Sequence, residues 1–388
     1  MHLSRRSLLA TLGVASPLVA VPRIAFARAE TDQRFVLIIL RGAMDGLGAV
    51  PPVADPHYRS ARGELAQQGP ATIDGMFAFH PALVKTAAMV AAGEGLVVHA
   101  VASPYRDRSH FDGQNVLETG GTSPYEYKDG WLNRLLPLLP AGAHALAVAP
   151  KVPPVLRGSA GVESYAPSKL PDPTQEFLDR VALLYRDDSQ LHALWDRAIA
   201  ARNTAQGIDG MKGMSAGAGA NALPGLARIA AEFLSRPGGV RVAVMEADGW
   251  DTHSGQAGRL ANQLRQLDAC FAALKAGLGQ AWANTVVVAA TEFGRTVQVN
   301  GTGGTDHGTA SAAFVLGGAV KGGHVLADWP GLAQSERFEG RDLKPTADLR
   351  ALLLAASAQH LGIDPTGAAR VLFPEAPGLK PAPVLRTG

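Results

Sequence analysis

The sequence predicts an α/β fold with a mostly parallel central sheet and helices on both faces. Short apolar runs, nearly continuous in hydrophobic character, are typical of strands that are buried on both faces. They lie at residues 35–40, 96–102, 144–149, 240–246, 285–291 and 312–317. Helical patterns separate them, at residues 80–92, 112–119, 174–185, 190–201, 223–235, 259–278 and 346–361. Strands that alternate with helices favour parallel pairing, because each return crossing needs a helix-length connection.

The first 29 residues predict a twin-arginine export signal that is not part of the fold. Arg5 and Arg6 precede the apolar stretch 8–20, and small residues suited to cleavage surround Ala27. This stretch is too short to span a bilayer, which needs roughly 20 residues. An ordinary secretory signal or a short anchor is the alternative. We therefore expect a periplasmic or secreted protein, which the twin-arginine translocase exports folded, with any metal acquired in the cytoplasm.

Residues 30–388 are predicted to form one α/β domain. A connection rich in Gly, Ala, Met and Ser is expected at 207–222, and an irregular, proline-rich tail at 374–388. A hydrophobic content of 47% is ample for a core, and no second apolar run reaches membrane-spanning length. We therefore expect no membrane span in the mature form.

Charge and cysteine usage exclude several classes of function. Leaving out residues 1–29 removes four arginines from the 36 basic residues and no acidic residue, so 32 basic residues face 34 acidic ones. Such a chain has no positive surplus with which to hold nucleic acid or an anionic membrane. The single cysteine, Cys270, forms no internal disulfide, and its apolar helical surroundings predict a core position.

Carboxylate and imidazole side chains occur at the ends of the predicted strands. In open α/β sheets, ligands and chemistry collect outside the carboxyl ends of strands. Carboxylate and imidazole are also the usual ligands of a divalent cation. The sequence therefore predicts a metal site for zinc, manganese or calcium. Its predicted ligands are Asp45, Asp251, His253, Glu292, Asp306 and His307.

Simpler explanations exist for individual members of this set. Asp251 could cap the helix that starts near residue 258, and His253 could be an ordinary surface residue. Glu292 ends a hydrophobic strand, where an unpaired charge costs several kcal/mol, so an ion pair with Arg295 would explain it alone. The glycine-rich run 301–304 lets the backbone approach a ligand, but no Lys-Ser/Thr pair makes it a phosphate loop.

A second candidate group follows the strand at 96–102. Arg108, Ser109 and His110 lie where the chain enters a predicted helix. A helix N-terminus favours an anion or an activated nucleophile. The alternative is that Ser109 merely caps the helix.

The motifs, taken together, resemble a known family. LRGAMDGL, SPYRDRSHFDGQNVLETG, GWDTH, TEFGRT, GTDHG and GGHVLADWPGL follow one another in the order of the bacterial domain-of-unknown-function family 1501. The resemblance covers nearly the whole mature chain. That family is grouped by fold with the alkaline phosphatase and sulfatase superfamily. The resemblance therefore implies an alkaline-phosphatase-like fold with two metals at the strand ends.

The resemblance also implies roles for particular residues. Asp45 corresponds to a first-strand metal ligand, Asp251 and His253 to a loop pair, and His307 to a second histidine of that metal. The nucleophile corresponds to Ser109 or His110. The remaining metal takes an Asp-His pair, where this chain has Glu292 and Phe293. Phe293 cannot bind a cation, so the second metal loses a ligand.

These observations predict an exported, metal-dependent hydrolase of a phosphate or sulfate ester. Ser109 or a water molecule would attack, and Arg108 or Arg295 would hold the small anionic ester substrate. The alternative is a catalytically silent protein that binds a cell-envelope protein partner or helps an assembly, and Phe293 favours it. A redox enzyme is a third reading suggested only by the export route, since the chain has no dinucleotide fingerprint or cysteine cluster.

Overall fold

The computed structural model describes residues 31–386 except 68, 70–71, 168–172, 207–221 and 237–239. Its strands are β1 (Arg34–Leu40), β2 (Gly95–Ala102), β3 (His144–Ala147), β4 (Glu163–Ser164), β5 (Val240–Ala247), β6 (Thr285–Thr291), β7 (Ser311–Leu316), β8 (Val325–Leu326) and β9 (Ala347–Asp348). Its α-helices are α1 (Gly46–Ala49), α2 (Tyr58–Arg62), α3 (Val84–Ala91), α4 (His110–Thr119), α5 (Trp131–Leu135), α6 (Gln175–Tyr185), α7 (Ser189–Gln206), α8 (Leu223–Ser235), α9 (Gln256–Leu278), α10 (Leu349–Leu354) and α11 (Pro365–Leu372).

All these strands belong to one sheet, in the order β4-β3-β5-β1-β6-β7-β2-β8, with β9 also paired to β2. Every pairing is parallel except those of β7 with β6 and with β2. The prediction of a mostly parallel sheet is confirmed. β7 is reversed because the chain returns from β6 through the loop 292–310, and a return without a crossover helix places the next strand antiparallel.

Helices cover both faces of the sheet, and alternate side chains of each strand enter different cores. In β1, Val36 and Ile38 join a cluster that includes residues of α8 and α9. Leu37 and Ile39 join a second cluster that includes residues of α5, α10 and α11. Because both faces of β1 are covered, its whole apolar run is buried.

Several predicted helix limits change. The helices predicted at 174–185 and 223–235 are confirmed as α6 and α8. The one predicted at 80–92 begins only at Val84, because residues 80–83 form a turn in which Leu83 N–H donates to the carbonyl of His80. α4 begins at His110, two residues earlier than predicted. The one predicted at 346–361 begins at Leu349, since the Asp348 side chain caps it, and it continues as the π-helix Ala355–Gln359.

Two predicted segments lie outside the described residues, namely the export signal at 1–29 and all but the last residue of the connection at 207–222. The tail from 374 to 386 contains turns and a bridge between Val320 and Leu385. Cys270 is fully buried in α9, and burial raises the pKa of its thiol. Within the described part of the chain, no helix is long and apolar enough to cross a membrane.

Candidate metal centre

Four chain segments meet at the carboxyl edge of the sheet. Residues 248–255 follow β5, residues 292–295 follow β6, and the loop 300–310 leads into β7. Residues 103–109 leave β2 and enter α4. Since β7 is antiparallel to β6, the start of β7 lies beside the end of β6. This topology brings the GWDTH, TEFGRT and GTDHG motifs to one place.

Glu292 orients the imidazole of His110. The distance from Nδ1 of His110 to Oε1 of Glu292 is 2.8 Å. An ionised carboxylate only accepts hydrogen bonds, so this contact places the imidazole proton on Nδ1 and leaves a lone pair on Nε2. His110 Nε2 is buried and has no hydrogen-bond partner. This nitrogen lies 3.5 Å from Oδ2 of Asp251 and points into the candidate centre.

His253 and His307 are held in the same way. Nδ1 of His253 lies 3.0 Å from Oδ1 of Asp306. Nδ1 of His307 lies 2.8 Å from the backbone carbonyl oxygen of Arg108. Both partners are acceptors, which again assigns an imidazole proton to Nδ1 of each ring.

The Nε2 atoms of the three imidazoles converge on the carboxylate of Asp251, at 3.5 Å for His110, 3.1 Å for His253 and 3.4 Å for His307. Ligand atoms of His110, Asp251 and His307 all lie within 4.8 Å of one another. Nε2 of His253 is 3.1 Å from Oδ1 of Asp251 and 2.9 Å from Nε2 of His307. Two lone pairs at that distance repel each other unless a proton or a cation lies between them. The donor set of imidazole nitrogens and one carboxylate therefore fits a divalent metal ion.

Arg295 anchors Asp251. Its Nη1 lies 2.6 Å from Oδ1 of Asp251, and its guanidinium also bonds to the hydroxyl and the carbonyl of Thr305. Burial acts to raise the pKa of Asp251, but the hydrogen bond and charge of Arg295, with His253 and His110 nearby, outweigh burial and lower it. The Asp251 carboxylate is thus kept ionised and aimed at the imidazoles.

Glu292 lies behind the centre and carries a buried charge. Its Oε1 accepts hydrogen bonds from Gly42 N–H at 2.9 Å, from the Gln114 amide at 3.1 Å and from His110. Its Oε2 contacts the hydroxyl of Thr291 at 2.8 Å. Burial acts to raise the pKa of Glu292, but these hydrogen bonds, led by that of His110, lower it overall. Glu292 is therefore ionised where it faces His110.

The pKa values of the two neighbouring imidazoles, those of His110 and His307, are shifted in opposite directions. The hydrogen bond to Glu292 raises the pKa of His110 above its ordinary value. Burial lowers the pKa of His307. His307 is thus kept neutral at neutral pH, which is the form that binds a cation.

Phe293 forms an apolar wall on one side of the centre. Its ring stacks on His110 with centroids 5.0 Å apart and lies 5.4 Å from the ring of His307. The opposite side is open, because the side chains of Asp251 and His253 are 42% and 45% exposed. A ligand from solvent would therefore approach past Asp251 and His253.

Apart from Asp45, the predicted ligands divide into two groups. Asp251, His253 and His307 meet at the candidate centre. Glu292 and Asp306 instead hold the far nitrogens of two imidazoles. His110, predicted as a possible nucleophile, supplies a ligand nitrogen in their place.

Asp45 is placed apart from this group. Its Oδ2 bonds to the guanidinium of Arg62 and to the side-chain amide of Gln256, and all three residues are buried. Its charge is balanced by Arg62, while its Oδ1 is buried without a hydrogen-bond partner. Asp45 therefore has a structural partner where the sequence suggested a metal.

The simpler explanations for the acidic residues also fail. α9 begins at Gln256 behind Gly255, so Asp251 does not cap it. Arg295 pairs with Asp251, whereas Glu292 pairs with His110.

Ser109 precedes α4, but its side chain makes no capping hydrogen bond. Its backbone N–H donates to the phenol oxygen of Tyr105 at 3.1 Å. Arg108 bonds to Asp342 at 2.8 Å and to Glu339. The predicted catalytic residues therefore flank the centre, with Arg108 tied to two carboxylates.

Sequence reasoning missed the residues that support these ligands. Gln114 bonds Glu292, and Asn300 donates to the His253 carbonyl at 2.9 Å and to Asp306 at 3.1 Å. The sequence signal for Gln114 is its position one helical turn after His110. For Asn300 the signal is its place at the start of a glycine-rich loop.

The chain matches the family model described as "Protein of unknown function (DUF1501)" over residues 32–366. No curated protein matches at a significant level.

The chain is also similar to solved structures of alkaline phosphatases and sulfatases. The C-terminal periplasmic domain of EcEptC from Escherichia coli, in complex with Zn, is 10% identical over 74% of each chain, with a TM-score of 0.39. Alkaline phosphatase from the Antarctic bacterium TAB5 is 14% identical over 74% of this chain and 92% of its own, with a TM-score of 0.36. BT1596, a 2-O GAG sulfatase, is 10% identical over 86% and 71%, with a TM-score of 0.37. At these identities the likeness concerns the fold and not the activity.

Proposed function

The chain belongs to the DUF1501 family of proteins of unknown function, and we propose that it binds a divalent cation and hydrolyses a phosphate or sulfate ester at the metal centre. The observation that carries this proposal is the convergence of the Nε2 atoms of three imidazoles on one ionised carboxylate. Without a cation, the adjacent Nε2 atoms of His253 and His307 would have to share a proton. Three imidazoles favour zinc over manganese or calcium, since calcium prefers oxygen ligands.

The residues of the chain have distinct parts in this proposal. His110, His253, His307 and Asp251 would hold the cation, which when bound polarises the ester and stabilises charge on its oxygens. The phenyl ring of Phe293 excludes water from one side. Arg108, whose side chain is partly exposed, is better placed than the fully buried Arg295 to meet a substrate anion. Ser109, at the N-terminus of α4, stays the candidate nucleophile, with attack by water as the alternative.

The first prediction concerns the cation. Chelator-treated mature protein should bind about one equivalent of Zn²⁺, and His307→Ala should bind it at least tenfold more weakly because it loses a ligand. Isothermal titration calorimetry and elemental analysis measure both. His192→Ala is the matched control, because His192 lies on α7 and is 48% exposed. Equal affinity in wild type and His307→Ala would contradict the site.

A panel of phosphate monoesters, phosphate diesters and sulfate esters then separates enzyme from binder. Zn²⁺-dependent turnover that is lost in Ser109→Ala assigns the attack to serine, and retained turnover assigns it to water. A wild type that binds Zn²⁺ but turns over no ester identifies the second candidate, a silent protein that binds an envelope partner. Phe293 favours that candidate, since its ring closes one side of the centre.

We also propose that the protein works in the periplasm or outside the cell after export by the twin-arginine translocase. The paired arginines in the leader support this route. The cation would then be bound in the cytoplasm, where the chain folds.

A further inference from the structure

One face of α4 carries three polar residues at helical spacing. His110, Gln114 and Glu118 lie four residues apart and therefore occupy the same side of the helix. This side faces the loop after β1, where Arg41 lies, and the end of β6, where Glu292 lies. His110 reaches the candidate metal centre, whereas the side chains of Gln114 and Glu118 bond to Glu292 and Arg41.

Arg41 contacts Glu118 and Gln114, the two residues of this row that lie farthest from the candidate centre. Its guanidinium bonds to Glu246 through Nε at 2.8 Å and to Glu118 through Nη2 at 2.8 Å. Its Nη1 donates to Oε1 of Gln114 at 2.9 Å. Two carboxylates therefore hold the guanidinium in place. Its Nη1 group points at the side-chain amide of Gln114.

The amide of Gln114 can adopt only one orientation. Arg41 only donates hydrogen bonds and the Glu292 carboxylate only accepts them. Oε1 of Gln114 must therefore face Arg41, and Nε2 must face Glu292, at 3.1 Å. The same Glu292 oxygen accepts the Nδ1 proton of His110 at 2.8 Å. A continuous series of hydrogen bonds thus runs from Arg41 to His110.

We propose that Gln114 and Glu292 are positioning residues that transmit the fixed orientation of Arg41 to the His110 imidazole and so set the affinity of the centre for its cation. The inference rests on the cation site proposed above. Neither residue needs to touch the cation or the substrate. Outer partners of a ligating histidine hold its ring and its tautomer in this way, and their loss costs about 10- to 100-fold in metal affinity.

Glu292→Gln removes the negative charge of this side chain but keeps most of its hydrogen-bond contacts. An amide oxygen at the Oε1 position can still accept from Gly42 and Gln114, and its NH₂ can donate to the hydroxyl of Thr291. That hydroxyl can then donate to the Leu40 carbonyl, which lies 2.7 Å away. The variant should fold, but its neutral oxygen holds the His110 proton more weakly than a carboxylate does.

Two substitutions of Gln114 disturb its hydrogen bonds in different ways. Gln114→Leu removes both hydrogen bonds. Gln114→Glu keeps the shape and the acceptor for Arg41, but it places a second carboxylate against Glu292 in place of a donor. If Gln114 only filled space, Gln114→Glu would be the milder change. A positioning role predicts that it is at least as damaging as Gln114→Leu.

Asn115→Leu is the matched control. Asn115 is the next residue of α4 and also loses an amide hydrogen bond, but that bond goes to the backbone N–H of Tyr125 at 2.6 Å. Each purified, chelator-treated variant is titrated with Zn²⁺ by calorimetry, and its melting temperature without metal reports on folding.

We expect Glu292→Gln to weaken Zn²⁺ binding about 10- to 100-fold, both Gln114 variants to weaken it about tenfold or more, and Asn115→Leu to leave it unchanged. Wild-type affinity in Glu292→Gln and Gln114→Glu would overturn the positioning role. An equal loss in Asn115→Leu would assign the effect to packing of α4 and would also overturn it. If wild type itself binds no Zn²⁺, the proposed function fails instead, and the two failures are thereby distinguished.

Discussion

At the scale of single residues, hydrogen-bond partners place the imidazole proton of two histidines on different ring nitrogens. In His110, Nδ1 donates to a carboxylate and Nε2 is left free. In His99 of β2, Nδ1 accepts the Ala100 N–H at 2.8 Å and Nε2 donates to the Val50 carbonyl at 3.0 Å. His99 is thus fully bonded as a neutral ring. A proton added to its Nδ1 would meet the Ala100 N–H.

His99 therefore predicts a loss of stability in acid. Burial lowers its pKa from 6.5 to about 4. Because the unfolded chain binds the proton more readily, the stabilisation is complete above pH 6.5 and is lost as the pH falls toward 4. The difference amounts to about 3 kcal/mol at most. In denaturant unfolding between pH 7 and pH 4.5, His99→Gln should lose less of its stability than wild type.

The matched control for this prediction is His192→Gln, since that ring is about half exposed on α7. Its stability should fall with pH as steeply as that of wild type. An equal pH dependence in His99→Gln and wild type would show that His99 is not the group responsible. His360, whose pKa burial also lowers to about 4, contributes in the same direction and keeps some acid sensitivity in every variant.

The sequence could predict which candidate ligands lie beside the ends of strands. Asp251 and His253 follow β5, and His307 precedes β7, so the topology of the sheet brings them together. Asp45 also follows a strand, but its outcome depends on Arg62, 17 residues later in α2. No spacing rule pairs those two residues. Only the packed structure shows that the carboxylate is already neutralised.

At the scale of elements, the loop between β6 and β7 holds the segments of the candidate metal centre together. The Thr302 hydroxyl and the Asn300 amide both donate to the carbonyl of His253, at 2.6 and 2.9 Å. Gly304 packs directly on that carbonyl, so that a Cβ at this position would overlap the His253 backbone. The loop therefore fixes the segment that carries Asp251 and His253.

Gly304→Ala should weaken cation binding about tenfold or more, because the loop must move away from His253 to admit the methyl group. Gly301→Ala is the control within the same loop, since a Cβ there meets nothing within 4 Å. Calorimetric titration with Zn²⁺ compares the two variants with wild type. Equal affinities in Gly304→Ala and Gly301→Ala would show that the loop does not position the ligands.

The start of α4 was not predicted correctly from the sequence. Placing its start at residue 112 left His110 outside the helix, so the alignment of His110 with Gln114 and Glu118 was not apparent. The structure begins the helix at His110. Helix limits are decided by local capping and tertiary contacts, and here Ser109 precedes the helix without any side-chain cap to mark it.

At the scale of the whole molecule, apolar runs predicted the six longer strands and the mostly parallel sheet, but not the two-residue strands β4, β8 and β9 or the order of the strands. β1 lies between β5 and β6, and β7 separates β6 from β2. Such neighbours are chosen by how helices pack on both faces, and apolar runs carry little information about that choice. The candidate metal centre depends on this order, because it requires the ends of β5 and β6 on either side of β1.

Because the candidate metal centre depends on the folded sheet, it also leads to a prediction about the proposed export. Ligands from residues 110 to 307 meet only in the folded chain, so a cation taken up in the cytoplasm requires export of a folded protein. Substituting Arg5→Lys together with Arg6→Lys should therefore hold the precursor in the cytoplasm, because the translocase reads the paired arginines. Arg23→Lys with Arg28→Lys is the matched control, since it changes two arginines of the same leader outside the pair. Cell fractionation and immunoblotting of the three forms measure the outcome. Periplasmic protein from the Arg5/Arg6 variant would instead indicate the general secretory route, in which the chain crosses unfolded and binds its cation only after arrival.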